Sequence, residues 1–551
     1  MQNLTNLITG VIKTQFDLDE TVELTRPDEQ YGDYATNVAL RLSKKVGQNP
    51  REVAERIVQE LQSEFIQKAE VAGPGFINIT LSDSELSRVI QAGPQKSLVG
   101  KVVVTEYSDP NPFKVLHAGH LYTSVVGDAI SNLLENAGAT VHRVNFGGDA
   151  GLHVAKALWG MKQNLEGEYP EKLKSIAEDA RADWMAQCYQ AGNQSYEEDP
   201  VAKEEIVSLN QQVYSFHAES DKTSPLAQIY WTCRTWSYDY FNAFYARIGS
   251  GFEKYYPESE TAPLGLKTVK EHVGDVYKES NGAIVFEGEP HGLHTRVFIN
   301  GNGLPTYEAK DVGLALKKWE DYHFDTSVII TGNDIVEYMK VVMKSLEAFL
   351  PEATARTKHL THGQVKLVGG VKMSSRKGNF LRAVDVLNAA AEANAQSEGG
   401  SHDETTSLGA VKYAFLKVKT GGDIIYDPKE SVSLQGNSGP YLQYAYARAS
   451  SILNKSERPA GGQEIFEASE RSLLRKISEY PEVIEQATAE LMPHHICTYL
   501  YELAQAFNRF YEDNRVIGDP RESTRIHLVA LYAQTLKDGL NVLGIHAPEK
   551  M

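Results

Sequence analysis

Ser108-Asp109-Pro110-Asn111-Pro112-Phe113-Lys114-Val115-Leu116-His117-Ala118-Gly119-His120 is the stretch that decides the fold. It follows Val102-Val103-Val104-Thr105, a β-branched run suited to a buried strand, and leads into an apolar-periodic segment that reads as a helix. The prolines break the extended chain, and His117-Ala118-Gly119-His120 opens the helix. A helix N-terminus gathers partial positive charge and unpaired N–H groups, which suits a phosphate. Gly119 has no Cβ, so a base and ribose can approach the backbone, while His117 and His120 are three apart and share one face. Such a site is built for a nucleoside triphosphate. A bare His-x-Gly-His also occurs as two core or capping histidines beside a packing glycine, so the reading needs a second motif. Lys372-Met373-Ser374-Ser375-Arg376-Lys377-Gly378-Asn379, far downstream, is that motif.

Outward from this centre, Val141-His142-Arg143-Val144-Asn145-Phe146 reads as a second strand, giving a right-handed βαβ unit of a parallel sheet. The loop Gly147-Gly148-Asp149-Ala150-Gly151 then falls at a strand's carboxyl end, where open α/β sheets bind ligands. Residues from about 163 to 264 read as a helical insertion without sheet signals, and the sheet resumes at Val297-Phe298-Ile299 and Ser327-Val328-Ile329-Ile330. The first segment mixes a helix from Glu52 to Phe65 with an alternating strand, Phe76 to Leu81, after a Gly73-Pro74-Gly75 turn. Beyond about Ala389 the pattern is helical and suggests a bundle with its own apolar faces. The expected architecture is an α/β Rossmann-like catalytic domain with a parallel sheet (99–388), an N-terminal α+β domain (1–98) and a C-terminal all-α helical bundle (389–551).

The 551 residues are too many for one core, and 23% charged with 42% hydrophobic content is ordinary for a globular protein. Cys188, Cys233 and Cys497 are odd in number and widely spaced, which supports neither a disulfide framework nor a zinc site; buried thiols are expected. No run is apolar enough to span a bilayer, so a cytoplasmic protein without membrane association is expected. A net charge of −18 opposes loose binding to phosphate backbones. A local basic track could still steer one RNA, with Arg41, Lys44, Lys45, Arg51, Lys372, Arg376, Lys377, Arg448 and Arg509 as its members; each alone also reads as part of a solvated face.

The two motifs resemble the HIGH and KMSKS signatures of class I aminoacyl-tRNA synthetases, and the longer strings SDPNPFKVLHAGH and KMSSRKGN resemble those of the arginyl-tRNA synthetases. The strings GDYATN (32–37) and GPGFIN (73–78), GPYLQYAYAR (439–448) and the closing LGIHAPEKM are similar to the same family's N-terminal and anticodon-binding domains. The resemblance implies an arginine–tRNA ligase. It would use ATP as substrate with Mg²⁺ on the phosphates and no zinc, and would act on L-arginine and tRNA(Arg) as a monomer, with activation dependent on tRNA. It implies Lys114, His117, His120 and Lys372 as catalytic groups, and Gly119, Met373, Ser374, Ser375 and Arg376 with these histidines and Lys372 around ATP. Glu106, Ser108, Asn111, Tyr307 and Asp311 would bind arginine, the last two being four apart on a helix face. Asn37, Tyr441, Tyr444, Arg448, Asn508, Tyr511 and Met551 would meet tRNA; tyrosines on one amphipathic helix are more often core, so one or two contacts are expected from that set.

Two departures from the family's pattern stand out. Ser375 replaces the second lysine of KMSKS, and the resemblance implies that Lys114 supplies that charge instead. After Ile330 the family's Gln/His pattern gives way to Thr331-Gly332-Asn333-Asp334-Ile335-Val336-Glu337-Tyr338-Met339, which leaves Asn333 or Glu337 to complete the arginine pocket. A HIGH-type nucleotidyl transferase acting on a small molecule is opposed by the tRNA-like ends, and a non-catalytic tRNA-binding paralogue by the near-complete pair of nucleotide motifs.

Overall fold

The computed structural model describes residues 2–368, 381–397, 403–457 and 466–551. The β-branched run forms the strand Val102–Glu106, buried on both faces as the central strand of a parallel sheet must be. It pairs in parallel with Thr140–Gly147 on one side and Thr326–Gly332 on the other. The edges are Lys254–Pro257 and Thr357–His362, also parallel. Numbered along the chain, the five strands lie in the order fifth, fourth, first, second, third. The winding therefore reverses between Val102–Glu106 and Thr326–Gly332, and a crevice opens beyond their carboxyl ends.

Two expectations are corrected. The stretch 163–264 is not free of sheet, because Lys254–Pro257 is the edge strand beyond its long helix Pro225–Ile248. Four residues ending in proline give no alternation to detect, and only an edge tolerates that proline. Val297, Phe298 and Ile299 do not rejoin the parallel sheet. They lie in Arg296–Ile299, which pairs antiparallel with Ala283–Phe286 in a separate sheet completed by Lys278–Ser280. Short apolar runs look alike in parallel and antiparallel settings until their partners are known.

The helix Ala118–Asn136 buries Leu121, Val125, Ile130 and Leu133. One hydrophobic core runs without a break from the N-terminal residues Ile8, Val38 and Ile57 through this helix to Leu500, Leu503 and Leu536 of the C-terminal bundle. The bundle is thus not a self-contained unit. Asn132 Nδ2 donates to Val542 O at 3.2 Å, fastening the end of the last helix, Glu522–Val542, to the helix Ala118–Asn136, while Lys412 Nζ donates to Gly544 O at 2.7 Å within the C-terminal unit. The insertion helices Leu152–Asn164, Arg181–Glu198, Pro200–Ala218 and Pro225–Ile248 have a core of their own, which holds Cys188 and Cys233.

The N-terminal sheet has the order Tyr34–Thr36, Phe76–Leu81, Ile66–Ala72, all antiparallel. Asp33, just before it, is fully buried. It accepts from Leu81 N at 2.7 Å and pairs with Arg471 of the bundle helix Ala468–Ser478 at 2.7 Å. Arg26 pairs with Glu482 at 2.8 Å, and Tyr34 bonds to the same carboxylate. Asp33 and Tyr34 of the GDYATN string therefore face the bundle, while Asn37 is exposed. Among the described residues no helix is long and apolar enough to cross a membrane.

Candidate active site

The backbone entering the crevice is strained: Ser108, Asp109 and Phe113 have φ of 75°, 46° and 66°. Non-glycine residues hold the left-handed region only when their surroundings compel it. Here Phe146 N donates to Asp109 Oδ1 at 2.8 Å, and Phe113 N to Ser237 Oγ at 2.9 Å. Ser108 Oγ meets the Tyr245 hydroxyl at 2.7 Å, and Gly148 N donates to Asn111 Oδ1 at 3.1 Å. That last bond leaves the Asn111 amide N–H₂ as a donor.

His117 is the N-cap of the helix Ala118–Asn136, and the two histidines cap it reciprocally. Gly119 N donates to His117 Nδ1 and His117 N donates to His120 Nδ1, both at 3.1 Å. Because each Nδ1 accepts, each ring carries its proton on Nε2 and presents an N–H beyond the cap. Burial and then Lys114 push the His117 pKa down to about 4; burial and then His117 push that of His120 well below the usual value. Both are neutral donors, not cations, at neutral pH. The need for glycine at 119 is also local: a Cβ there would lie 2.8 Å from His117 Cε1.

A cavity of about 820 Å³ lies over the switch point. One half is lined by His117, Gly119, His120, Thr123, His362 and Gly363, the other by Glu106, Ser108, Asn111, Tyr307, Asp311 and Tyr338. Tyr307 and Asp311 stand on one face of the helix Tyr307–Tyr322. In the acidic half Glu106 is ion-paired with Lys318, and Glu258 with Lys310, all four deeply buried. Asp109 and Asp311 have no ion pair among the described residues, so the half holds two carboxyls in excess. Burial pushes the Asp311 pKa up to about 8, although a bond from the Tyr338 hydroxyl opposes the rise; burial and Glu106 raise Asp109. A cationic group brought beside either carboxyl would favour its ionised form.

Tyr338, whose hydroxyl bonds to the Asp311 carboxyl, stands beside the two residues that the sequence offered to complete the pocket. Asn333 reaches the wall, but Glu337 is exposed and pairs with Lys340 at 2.6 Å. Sequence reading also missed His362 and Arg296, both on the wall. His362 ends the strand Thr357–His362, and its position at a carboxyl end was the available signal. Arg296 offered none. Lys114 is not on the wall: its ammonium lies 4.3 Å from the centre of the Tyr189 ring, and burial lowers its pKa to about 8. Lys372, Met373, Ser374, Ser375, Arg376 and Lys377 lie outside the described residues.

On the bundle, Asn508 Nδ2 donates to the Tyr441 hydroxyl at 2.8 Å, and the Arg448 guanidinium lies 4.4 Å over Tyr511. Both contacts join the helices Gly439–Lys455 and His494–Asp513, so four of the residues named for tRNA meet across one helix pair. Tyr444 and Met551 are about half exposed, and Tyr446 is core. Phe76, which the sequence reading left unassigned, is exposed at the strand end beside Asn37.

Three family models match the chain: "Arginyl tRNA synthetase N terminal domain" over residues 2–81, "tRNA synthetases class I (R), catalytic domain" over 83–427 and "DALR anticodon binding domain" over 442–551. Proteins named arginine–tRNA ligase resemble it along nearly their whole length. That of Bdellovibrio bacteriovorus is 31% identical over 95% of this chain and 93% of its own, and that of Treponema denticola 30% over 96% and 94%. Among solved structures, the arginyl-tRNA synthetase of Thermus thermophilus shares the fold with a TM-score of 0.80 at 23% identity, each chain covered in full. With a catalytic-domain match spanning more than half of its residues, the chain belongs to the class I arginyl-tRNA synthetase family.

Proposed function

We propose that the cavity activates L-arginine with ATP and passes it to the 3′ end of tRNA(Arg), as an arginine–tRNA ligase. The observation that carries the proposal is the meeting, on one wall at the switch point, of the two Nε2–H donors of His117 and His120 with the Tyr307–Asp311 pair. In the first step the arginine carboxylate attacks the α-phosphorus of ATP and pyrophosphate leaves. No protein nucleophile is required; alignment of two repelling anions and fixed donors at the developing charge supply the acceleration. His117 and His120 donate to the phosphates from the helix N-terminus. Asp311, ionised by the incoming guanidinium, takes it together with Glu106 and the Tyr307 oxygen, while the Asn111 amide donates to the carboxylate. The planar, five-donor guanidinium distinguishes arginine from the point charge of lysine. In the second step a hydroxyl of the terminal ribose attacks the adenylate carbonyl and AMP leaves.

On the family resemblance, Mg²⁺ accompanies the nucleotide, held by phosphate oxygens and water. Lys372 and the residues 373–376 complete the nucleotide site on the motif resemblance; Lys114, assigned there by the same resemblance, would have to leave the Tyr189 ring to reach it. Asn37, Tyr441, Tyr444, Arg448, Asn508, Tyr511 and Met551 form the tRNA contacts, supported by their exposure or their clustering on one helix pair. Three units divided near residues 98 and 388, a monomeric state, a cytoplasmic location and tRNA-dependent activation rest on the family resemblance.

The test is ATP–pyrophosphate exchange with each amino acid, with and without total tRNA. Arginine alone should support exchange, and only when RNA is present. Exchange without RNA would remove the tRNA dependence and leave the ligase; efficient charging of lysine would remove the pocket assignment.

A further inference from the structure

His153 sits in the first turn of the helix Leu152–Asn164, just after the glycine-rich loop. It is buried, and its ring makes two hydrogen bonds of fixed sense. Nε2 lies 2.7 Å from Gly148 O, and a carbonyl can only accept, so the ring proton is on Nε2. Nδ1 lies 3.2 Å from the Tyr307 hydroxyl. A neutral ring with its proton on Nε2 offers Nδ1 as an acceptor, and the one hydrogen of the Tyr307 hydroxyl is spent there. We infer that His153 is a positioning residue for amino-acid selection, which makes Tyr307 meet the substrate as an acceptor only. The inference rests on Tyr307 facing arginine, as proposed above.

Three further observations hold the arrangement in place. Gly148 cannot drift from the ring, because its own N–H is bound by Asn111 Oδ1 at 3.1 Å, and a Cβ at 148 would lie 2.1 Å from that oxygen and 3.0 Å from His153 Nε2. The His153 and Tyr307 rings lie near parallel, at 23° with centres 6.3 Å apart, so the contact fixes the tyrosine's orientation as well as its polarity. Burial, then Lys114 and Lys310, keep the ring from taking a second proton against the weaker pull of the Gly148 carbonyl, and Lys156 adds the least. A doubly protonated ring would reverse the bond and turn the tyrosine hydrogen into the cavity.

The chemical consequence is discrimination by polarity. A guanidinium carries five N–H donors and no acceptor, so it satisfies a pocket of carboxylates and one captive phenol oxygen. Citrulline has nearly the same shape but presents a urea oxygen, which would stand against acceptors alone. A freely rotating tyrosine could donate to that oxygen; one held by His153 cannot. Rejection by an unpaired acceptor becomes a strong form of selectivity once the bound ligand shuts water away from the Tyr307 hydroxyl.

The test measures KM for arginine, Ki for citrulline and KM for ATP in pyrophosphate exchange with tRNA present. His153→Leu should raise the arginine KM about tenfold, the loss of one oriented hydrogen bond to a charged ligand, and lower the citrulline Ki. The ATP KM should stay as it was, which a general folding defect would not allow. His153→Gln keeps an amide N–H for Gly148 and an oxygen for Tyr307, and should restore both values. Adding His153→Leu to Tyr307→Phe should change nothing further. An unchanged arginine KM in His153→Leu, or effects that add in the double variant, would overturn the role of His153. An unchanged arginine KM in Tyr307→Phe would overturn the earlier reading of Tyr307 itself. The unsubstituted enzyme gives an independent check: ¹⁵N resonances of His153 at neutral pH should show Nε2 protonated and Nδ1 bare, and a charged ring or the opposite tautomer would refute the inference.

Discussion

Asp311 carries the plainest chemical prediction at the level of single residues. Burial raises its pKa to about 8, so at neutral pH it is mostly protonated, and pairing with a guanidinium requires it to lose that proton. Arginine binding should therefore release a proton and strengthen as pH rises through about 8, since each pH unit below that value costs about tenfold. Calorimetry in buffers of different ionisation enthalpy would count the proton. Asp311→Asn should cost about 2–4 kcal/mol of arginine binding and flatten the pH profile, with nucleotide affinity retained. Tyr338→Phe should move the break to higher pH, because the tyrosine hydroxyl favours the ionised carboxylate. A profile unchanged in that variant would show that Tyr338 does not set the titration. The roles of Glu106, Ser108, Asn111, Tyr307 and Asp311 were suggested by their motifs, and all five do line one cavity. Their pairings were not legible: Glu106 meets Lys318 across 212 positions, Tyr307 meets His153 across 154 and Asp311 meets Tyr338 across 27, and no local spacing joins the members of any pair.

At the scale of elements, the helix Ala118–Asn136 turns a sequence signature into a chemical one. Its cap fixes the tautomer of both histidines, and that cap depends on the absence of a Cβ at Gly119. Gly119→Ala should displace the His117 ring and slow adenylate formation by about tenfold or more, while arginine binding is preserved, as single-turnover measurements would show. A rate equal to that of the unsubstituted enzyme would mean that the cap does not orient the catalytic donors. Strand, helix and strand were legible around this element because β-branched runs and a helical period are local signals. The edge strand Lys254–Pro257 and the antiparallel sheet containing Arg296–Ile299 were not, since four residues hold too little pattern and pairing is decided by distant partners.

For the molecule as a whole, the three sequence units do not correspond to three independent cores. The bundle shares its core with the motif helix and the N-terminal domain, so removing residues from Ser433 onward should expose apolar surface on the catalytic layer and give aggregated protein, not a folded nucleotide pocket. A truncated chain that is monomeric and binds ATP would contradict this. Arg471→Ala leaves the buried Asp33 with Arg475 alone, at 3.4 Å, and should cost up to about 3 kcal/mol by denaturant unfolding; adding Asp33→Ala should recover part of the loss, as expected for a buried pair. Additive losses would mean that the two do not act as a pair. This latch has a consequence for how the protein is made. Asp33 and Arg471 are 438 positions apart, so at ribosomal rates of about 5–20 residues per second the carboxylate emerges roughly 20–90 s before its partner exists. During that interval the N-terminal sheet has neither its counter-charge nor the helix that closes its core. The first domain made therefore completes its core only once the helix Ala468–Ser478 has emerged, late in synthesis.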